Sequence, residues 1–157
     1  LKRPSGIYHH LDMNPTLSFR SYKTIAAQTA PPGQLVVMLY EGAIRFLEGA
    51  LTGFQHDDPK QFNETINNNV IRAQEIIREL DGSLDLDQGG ELAATLRRLY
   101  LYMDDQLTRS NVRKTPEGIH DAIHRLSTLR DAWRTMLVQR GGAQREPAPY
   151  AALSATS

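Results

Sequence analysis

The chain has 157 residues, with 18 basic and 18 acidic side chains and no cysteine. This length supports one domain with a substantial core, and the balanced charge gives no general attraction to nucleic acid or to anionic membranes. The lack of cysteine excludes disulfides and thiolate metal sites and is typical of a reducing compartment. No apolar run approaches the roughly 20 residues that a membrane-spanning helix needs. We therefore expect a cytoplasmic protein without direct membrane insertion.

The first part of the chain has little periodic pattern. Residues 1–12 mix proline, glycine and histidine and precede a methionine, so we expect a leader without function. Residues 13–30 form a polar arm with a few apolar residues. Of these, Phe19, Tyr22 and Ile25 are spaced as on one helical face. A short apolar arm of this kind is expected to pack back onto the domain that follows.

The most apolar stretch runs from Thr29 to Leu51 and opens with two prolines. Pro32 suits the first position of a helix, because its missing N–H would have no partner there. Apolar residues then follow in steps of three and four at Val36, Leu39, Ala43, Phe46, Leu47, Ala50 and Phe54. Further apolar residues widen this stripe, so the helix must be covered on several sides. The pattern predicts the central helix of a bundle.

A second helix is predicted to begin at Pro59. Asp58 is a favourable N-cap, and Gln61 completes the spacing of a capping box. The inner residues of this helix are predicted to be Phe62, Ile66, Val70, Ala73, Ile77 and Leu80. We expect Gly82 to end the helix in the left-handed conformation, and residues 83–90 to form a loop.

Two further helices follow. The third is predicted to begin near Gly90 and to fray at residues 110–114, and Pro116 then marks the start of the fourth, which ends before Gly141. The predicted inner residues of the third helix are Leu92, Leu96, Leu99, Met103 and Leu107, with Tyr100 and Tyr102 beside them. Those of the fourth are Ile119, Ala122, Ile123, Leu126, Leu129, Trp133, Met136 and Leu137.

These elements predict an all-α protein. Four helices of about 20 residues joined by short connections give an antiparallel four-helix bundle over residues 31–141. The arm at 13–30 would pack on this bundle. Residues 142–157 are rich in proline, alanine and serine, so we expect a disordered tail.

Few residues carry recognisable catalytic or metal-binding chemistry. His120 and His124 lie one helical turn apart, as in zinc proteases, but Asp121 replaces the catalytic glutamate and no third ligand is evident. Glu117 and His120 form one Glu-x-x-His motif, whereas a di-iron bundle needs two. Basic residues of the third helix alternate with acidic ones, which favours a solvated face over a nucleic-acid interface. We predict a binding protein that is not an enzyme and needs no metal or cofactor.

Five motifs occur in the order and at the separations of a known family. They are TAPP with MLYEGA at 29–43, RAQEIIREL at 72–80, GGELA with LYLYM at 89–103, LTRSN at 107–111 and DAW at 131–133. Over about residues 19–137 the chain closely resembles the FliS family of flagellin-specific secretion chaperones. Pro31 departs from the pattern, because the family usually has a helix-capping serine there, so the first turn should rely on Thr29 or water.

The resemblance implies a cytoplasmic bundle that binds the disordered C-terminal region of flagellin, prevents premature polymerisation and delivers flagellin to the flagellar type III export apparatus. Such recognition places a client helix in an apolar groove and couples binding to client folding. The implied partners are flagellin, an export gate protein and, as a further candidate, an assembly regulator, and the chaperone itself would be a monomer or weak dimer. Candidate residues for flagellin binding or for the arm are Phe19, Tyr22, Ile25, Leu39, Tyr40, Asn69, Ala73, Ile77, Tyr100 and Met103.

Two other classes of protein fit part of the pattern. One is an unrelated helical-bundle adaptor or self-associating signalling domain, which a client-binding assay separates from a chaperone. The other is a metal-dependent bundle enzyme, which metal analysis of the purified protein tests. For the arm, we expect Phe19 and Tyr22 to cover the client groove in the free protein and to contact the export gate once flagellin has displaced them.

Overall fold

The computed structural model describes residues 34–139 and 148–150. Its elements are α1 (Leu35–Gly53), α2 (Pro59–Gly82), α3 (Leu86–Arg113), α4 (Glu117–Gln139) and a three-residue 3-10 turn, Ala148–Tyr150, here called the C-terminal turn. No strand occurs within these residues, and none of their helices is long and apolar enough to cross a membrane. The predicted four-helix bundle is confirmed, whereas the leader at 1–12 and the arm at 13–30 lie outside the described residues.

The four helices pack in a ring. α1 contacts α2 and α4, and α3 contacts the same two helices from the other side. Asn67, early in α2, bonds to Asn111, late in α3, whereas Asp81, late in α2, bonds to Arg97, earlier in α3. The two helices are therefore antiparallel. Burial is greatest in α1, where 11 of 19 residues are buried, against 7 of 24 in α2. The most apolar stretch of the sequence thus forms the most buried helix, as one member of the ring and not at its centre.

The starts of α1 and α2 differ in how their free amides are satisfied. Asp58 caps α2 as predicted, because its Oδ2 accepts a hydrogen bond of 2.9 Å from the backbone N–H of Gln61. Gln34 occupies the N-cap of α1 and its side chain makes no capping bond. Pro32, the predicted first helical residue, lies outside the described part of the chain.

The predicted left-handed ending at Gly82 is wrong. α2 ends through Ser83, whose φ is −93° and whose N–H donates to the carbonyl of Glu79 at 3.0 Å. Among the described residues only Gly90 and Lys114 have a positive φ. A right-handed residue can close the last turn in this way, so α2 does not need a left-handed glycine.

The predicted loop at 83–90 is also too long. α3 begins at Leu86, because Asp85 Oδ1 accepts a hydrogen bond of 3.0 Å from the N–H of Gln88 and caps the first turn. Gly90, with φ 55° and ψ −135°, then breaks the helix after one turn. The glycine that adopts a left-handed φ is thus Gly90, where an L side chain would be strained.

The inner face of α3 differs from the predicted one at two positions. Leu92, predicted to be an inner residue, is 48% exposed, and Ala93 is buried in its place. Tyr100, predicted to flank the inner stripe, is fully buried. On α1, Phe46 packs against the core but remains half-buried.

The corner between α3 and α4 is fixed by a close contact. Ser110 is buried, and its Oγ accepts a hydrogen bond of 3.0 Å from the N–H of Gly118. A Cβ at Gly118 would lie 2.8 Å from the carbonyl oxygen of Gln106, so only glycine fits there without a shift of the backbone. Lys114 turns the chain with φ 54°, and its Nζ donates to the Asn111 carbonyl at 2.8 Å.

Candidate functional site

Four aromatic residues from separate parts of the chain meet between α1, α3 and α4. We call Tyr40, Tyr100, Trp133 and Tyr150 the aromatic cluster; all four are buried. The hydroxyl oxygens of Tyr40 and Tyr100 are 2.6 Å apart, and the Tyr100 hydroxyl also shares a hydrogen bond with that of Tyr150. The three phenols therefore form one hydrogen-bonded chain through the core.

Tyr150 belongs to the segment that we predicted to be a disordered tail. At the described residues 148–150 the structure differs from that prediction, because the C-terminal turn packs on α3 and the Tyr150 ring has no exposed surface. Apolar burial of a whole aromatic ring offsets the entropy lost on ordering one turn.

Trp133 packs edge-on against two of the phenols. Its ring centre is 6.1 Å from that of Tyr40, at an interplanar angle of 74°, and 5.5 Å from that of Tyr150, at 61°. This edge-to-face arrangement is favourable for aromatic pairs. The indole Nε1–H is buried and has no hydrogen-bond partner among the described residues, which costs stability.

The phenols of the cluster remain neutral at physiological pH. Burial raises the pKa of Tyr40 and Tyr100 well above the ordinary value, and the neighbouring phenol of the chain raises each further. Burial likewise raises the pKa of Tyr150. A neutral, dry phenol is a poor base and a poor nucleophile, so the geometry of the cluster suits packing and recognition rather than catalysis.

Most of the predicted site residues within the described chain lie in the core. Leu39, Tyr40, Ala73, Ile77, Tyr100 and Met103 are all fully or almost fully buried. Of these, the structure brings Tyr40 and Tyr100 into direct contact. A fully buried side chain cannot touch a client in this conformation, so these residues can act on binding only through the surface they support.

The remaining predicted site residues have different positions. Asn69 is half-buried between α1 and α2, and its Nδ2 donates to the Thr65 carbonyl at 2.9 Å. Its Oδ1 lies 2.8 Å from the point where a Cβ at Gly49 would stand. Phe19, Tyr22 and Ile25 lie outside the described residues.

A polar seam between α2 and α3 was missed by the sequence analysis. Gln74, which belongs to the motif at 72–80, is buried. Its Nε2 donates to Asp104 Oδ1 at 3.0 Å and to Thr108 Oγ1 at 2.9 Å. Asp104 also pairs with Arg78, with Nε and Oδ2 3.2 Å apart. A glutamine next to the inner residue Ala73 and one turn before Ile77 is the sequence signal that could have revealed this seam.

Two shallow grooves on the outside of the bundle are lined by described residues. The larger, of about 340 Å³, lies between α3 and α4, and we call it the α3–α4 groove. It is lined by Leu99, Asp121, His124, Arg125, Thr128 and Leu129. The other, of about 310 Å³, lies between the start of α1 and the end of α4, where Glu41 and Arg134 form an ion pair.

Exposed apolar residues are concentrated on α3. Within the described chain they include Leu101, 55% exposed, and Tyr102, 44% exposed. Tyr102 stands beside the α3–α4 groove, because the Arg125 guanidinium carbon of α4 lies 4.9 Å from its ring centre. His120 and His124, the two histidines with zinc-protease spacing, are exposed on α4.

Comparison with known proteins gives a consistent result. The family model described as "Flagellar protein FliS" matches residues 15–140. The chain is 32% identical over 116 residues to the flagellar secretion chaperone FliS of Bacillus subtilis, covering 74% of this chain and 83% of that protein. It is 30% identical over 122 residues to the protein of the same name from Campylobacter jejuni, covering 78% and 92%.

A third relative is the flagellar secretion chaperone FliS of Salmonella typhimurium, 33% identical over 110 residues and covering 69% of this chain and 78% of that protein. The family match spans all four helices and both ends of the α3–α4 groove. The chain therefore belongs to the FliS family of flagellar proteins, a family of chaperones and not of enzymes.

Proposed function

We propose that this chain is a cytoplasmic chaperone that binds the C-terminal region of flagellin, prevents premature polymerisation and delivers flagellin to the flagellar type III export apparatus. The observation that carries the proposal is the family match over residues 15–140. A chaperone for secretion needs a client and a receiving machinery. The partners we propose are therefore flagellin and an export gate protein, with an assembly regulator as a further candidate.

The surface that we propose for the client is the α3–α4 groove. Its floor is apolar, because Leu99 and Leu129 are half-buried there, and its rim carries Asp121 and Arg125. Tyr102 adds an exposed aromatic ring to the rim. An apolar floor with a charged rim suits one face of an amphipathic helix, which is the form a disordered client segment can take on binding.

The buried residues among the predicted site support this surface from inside. Tyr100 and Met103 lie on the inner face of α3 and have no exposed surface. Their packing fixes the position of Leu99 and Tyr102, their neighbours along the helix. A change at Tyr100 or Met103 would thus weaken client binding by moving the groove, without the loss of a direct contact.

The arm supplies the second step of the proposal. Phe19, Tyr22 and Ile25 would cover the α3–α4 groove in the free protein and protect its apolar floor from aggregation. Flagellin would displace them, and Phe19 and Tyr22 would then be available to the export gate. The arm must bind the groove more weakly than flagellin does, because otherwise it would inhibit export.

The test measures binding of a peptide with the C-terminal sequence of the organism's flagellin by isothermal titration calorimetry. Tyr102→Asp places a charge at the rim of the apolar floor, so we expect affinity to fall by at least about tenfold. Leu101→Asp is the matched control. Leu101 is similarly exposed on the same helix but points about 100° away from Tyr102, so its variant should bind as the unmodified chain does.

The outcomes separate the function from the surface. If the folded, unmodified chain fails to bind the peptide, the proposed function is wrong. If it binds and Leu101→Asp is the variant that loses affinity, the chaperone role stands but the client occupies the outward face of α3 instead of the groove.

A further inference from the structure

The C-terminal turn is seated on the first turn of α3. The backbone N–H of Asp85 donates to the carbonyl of Pro149 at 2.8 Å. A Cβ at Gly89 would lie 3.1 Å from Pro149 Cα, so the absence of a side chain at Gly89 allows this close approach. The turn therefore has a defined seat next to the helix start that Asp85 caps.

From this seat Tyr150 enters a socket between three helices. The walls of the socket are Tyr40 from α1, Tyr100 from α3 and Trp133 from α4. The Tyr150 ring lies 5.5 Å from the Trp133 ring and is fully buried, and its hydroxyl bonds to that of Tyr100. The socket is thus shaped around one phenol ring and offers a hydrogen-bonding group at its inner end.

The socket contains a second polar group that Tyr150 leaves unused. The Trp133 Nε1–H is buried and unpartnered within the described chain. Buried N–H groups are rarely left without an acceptor in stable cores, and those that occur call for an explanation. A tyrosine from a partner would leave this group unused in the same way, so the indole N–H does not distinguish the two occupants.

Few contacts hold the C-terminal turn on the bundle. Between described residues, the turn is tied to the bundle by the Asp85 backbone bond, the packing of the buried Pro149 on Gly89, the hydroxyl bond of Tyr100 and the contacts of the Tyr150 ring. Because the turn follows the last helix of the bundle, it can leave its seat without the unfolding of any helix. Segments of this kind open at a much lower free energy than the core does.

We propose that this socket is a binding site for a tyrosine side chain, which Tyr150 fills in cis and which a partner segment carrying a proline followed by a tyrosine can fill in trans. The C-terminal turn is then a displaceable plug. Its own sequence defines the ligand chemistry: a proline that fits against Gly89, a carbonyl for the Asp85 N–H and a phenol for the socket. The inference does not depend on flagellin being the client.

The test uses a synthetic peptide with the sequence of residues 145–153, REPAPYAAL, and the full-length Tyr150→Ala variant. Trp133 is the only tryptophan in the chain and contacts the ligand ring, so its fluorescence reports the state of the socket. We expect Tyr150→Ala to shift the emission to longer wavelength, and the peptide to reverse the shift in a saturable manner. The unmodified chain should bind the peptide at least about tenfold more weakly, because the tethered plug competes.

Two control peptides identify the recognised group. With alanine in place of the tyrosine, the peptide should not reverse the shift. With phenylalanine it should bind roughly threefold to tenfold more weakly, because one hydroxyl bond is lost. If Tyr150→Ala has the circular dichroism of a folded bundle and no concentration of the tyrosine peptide changes its emission, the socket does not accept a ligand in trans and the proposal is overturned.

A measurement on the unmodified chain covers the case in which Tyr150→Ala does not fold. The amide of Asp85 is protected by Pro149, so its hydrogen exchange reports opening of the plug. We expect this amide to exchange at least about tenfold faster than the buried amides of α1. Exchange of Asp85 only through global unfolding would show that the plug is a fixed part of the core and would equally overturn the proposal.

Discussion

The two helix pairs of the bundle are built differently. α1 and α2 approach closely through glycines: a Cβ at Gly53 would lie 2.8 Å from Ile66 Cγ1, and one at Gly49 would lie 2.8 Å from Asn69 Oδ1. α3 and α4 approach as closely at the corner that joins them, where Gly118 contacts Ser110, but further along they leave a groove of about 340 Å³, and α3 is kinked at Gly90. The first pair has the close packing that stabilises a fold, and the second pair has the open surface on which we propose that the client binds.

The aromatic cluster joins the two pairs. Tyr40 comes from the tight pair, Tyr100 and Trp133 come from the open pair, and Tyr150 completes the contact from the C-terminal turn. We therefore expect the cluster to contribute strongly to the stability of the open pair. The predictions below test this division, beginning with the largest expected effect.

Truncation of Trp133 should have the largest effect. Trp133→Ala removes a buried ring that contacts both Tyr40 and Tyr150, so we expect the free energy of unfolding to fall by about 3–5 kcal/mol in chemical denaturation. Trp133→Phe keeps a ring and removes the unpartnered N–H, so it should cost less than half as much. Phe46→Ala should also cost clearly less than Trp133→Ala, because the Phe46 ring of α1 is only half-buried. The sequence had placed both residues on inner faces. Equal losses for all three would contradict the central role of the cluster.

Glycines of the bundle should respond differently to alanine, according to the space and the backbone angle at each position. Gly53→Ala forces a Cβ against Ile66 Cγ1 and its backbone N, so we expect a loss of about 1–3 kcal/mol in the free energy of unfolding. Gly82→Ala meets nothing within 4 Å and should stabilise α2 by about 0.5–1 kcal/mol. Gly90→Ala should destabilise by about 1–2 kcal/mol, because its φ is 55°. A neutral Gly53→Ala would mean that α1 and α2 are not closely packed.

The aromatic cluster should make stability depend on alkaline pH. The folded-state pKa values of Tyr40 and Tyr100 are raised by burial, so the folded chain binds these protons more tightly than the unfolded chain does. Stability is unaffected below the unfolded tyrosine pKa of about 10, and each such tyrosine lowers it by about 1.4 kcal/mol per pH unit above that value. Urea denaturation between pH 8 and pH 11 measures this slope. Tyr100→Phe should reduce the slope by about 1.4 kcal/mol per pH unit, the contribution of one proton. A slope identical in Tyr100→Phe would contradict the burial of the Tyr100 hydroxyl.

The arm variant should have the smallest effect on the bundle itself. Phe19→Ala with Tyr22→Ala should leave the helices folded, and flagellin affinity should hold or improve slightly because a competitor for the groove is gone. Secretion of flagellin by cells carrying this variant should fall, because contact with the export gate is lost. Normal secretion together with easier unfolding would make the arm a structural strap.

Local rules predicted the parts of the fold that depend on near neighbours. The Asp58 cap and the start of α2 at Pro59 follow from residues within one turn, and the structure confirms both. The left-handed conformation was predicted for Gly82, whereas Gly90 has the positive φ, because either glycine can adopt it and composition alone does not choose between them. Ala93 and not Leu92 faces the core, because both lie about one turn before Leu96 and their spacing alone does not separate them.

The candidate site was harder to predict, because a sequence motif does not distinguish a residue that supports a surface from one that forms it. Tyr100 and Met103 belong to a family motif and are fully buried, while Tyr102 between them is exposed. No sequence pattern indicated that Tyr150 is buried, because it lies among proline and alanine and its partners are distant in the sequence. Contacts of this kind appear only when the helices have been assembled.

The most direct test of the chaperone role is the growth of flagellin filaments in the presence of the purified chain. Light scattering follows polymerisation of flagellin of the same organism, started by filament seeds. We predict that an equimolar amount of the chain stops growth, and that Tyr102→Asp at the same concentration leaves growth largely uninhibited. Filaments that grow at the same rate with and without the folded, unmodified chain would contradict the account.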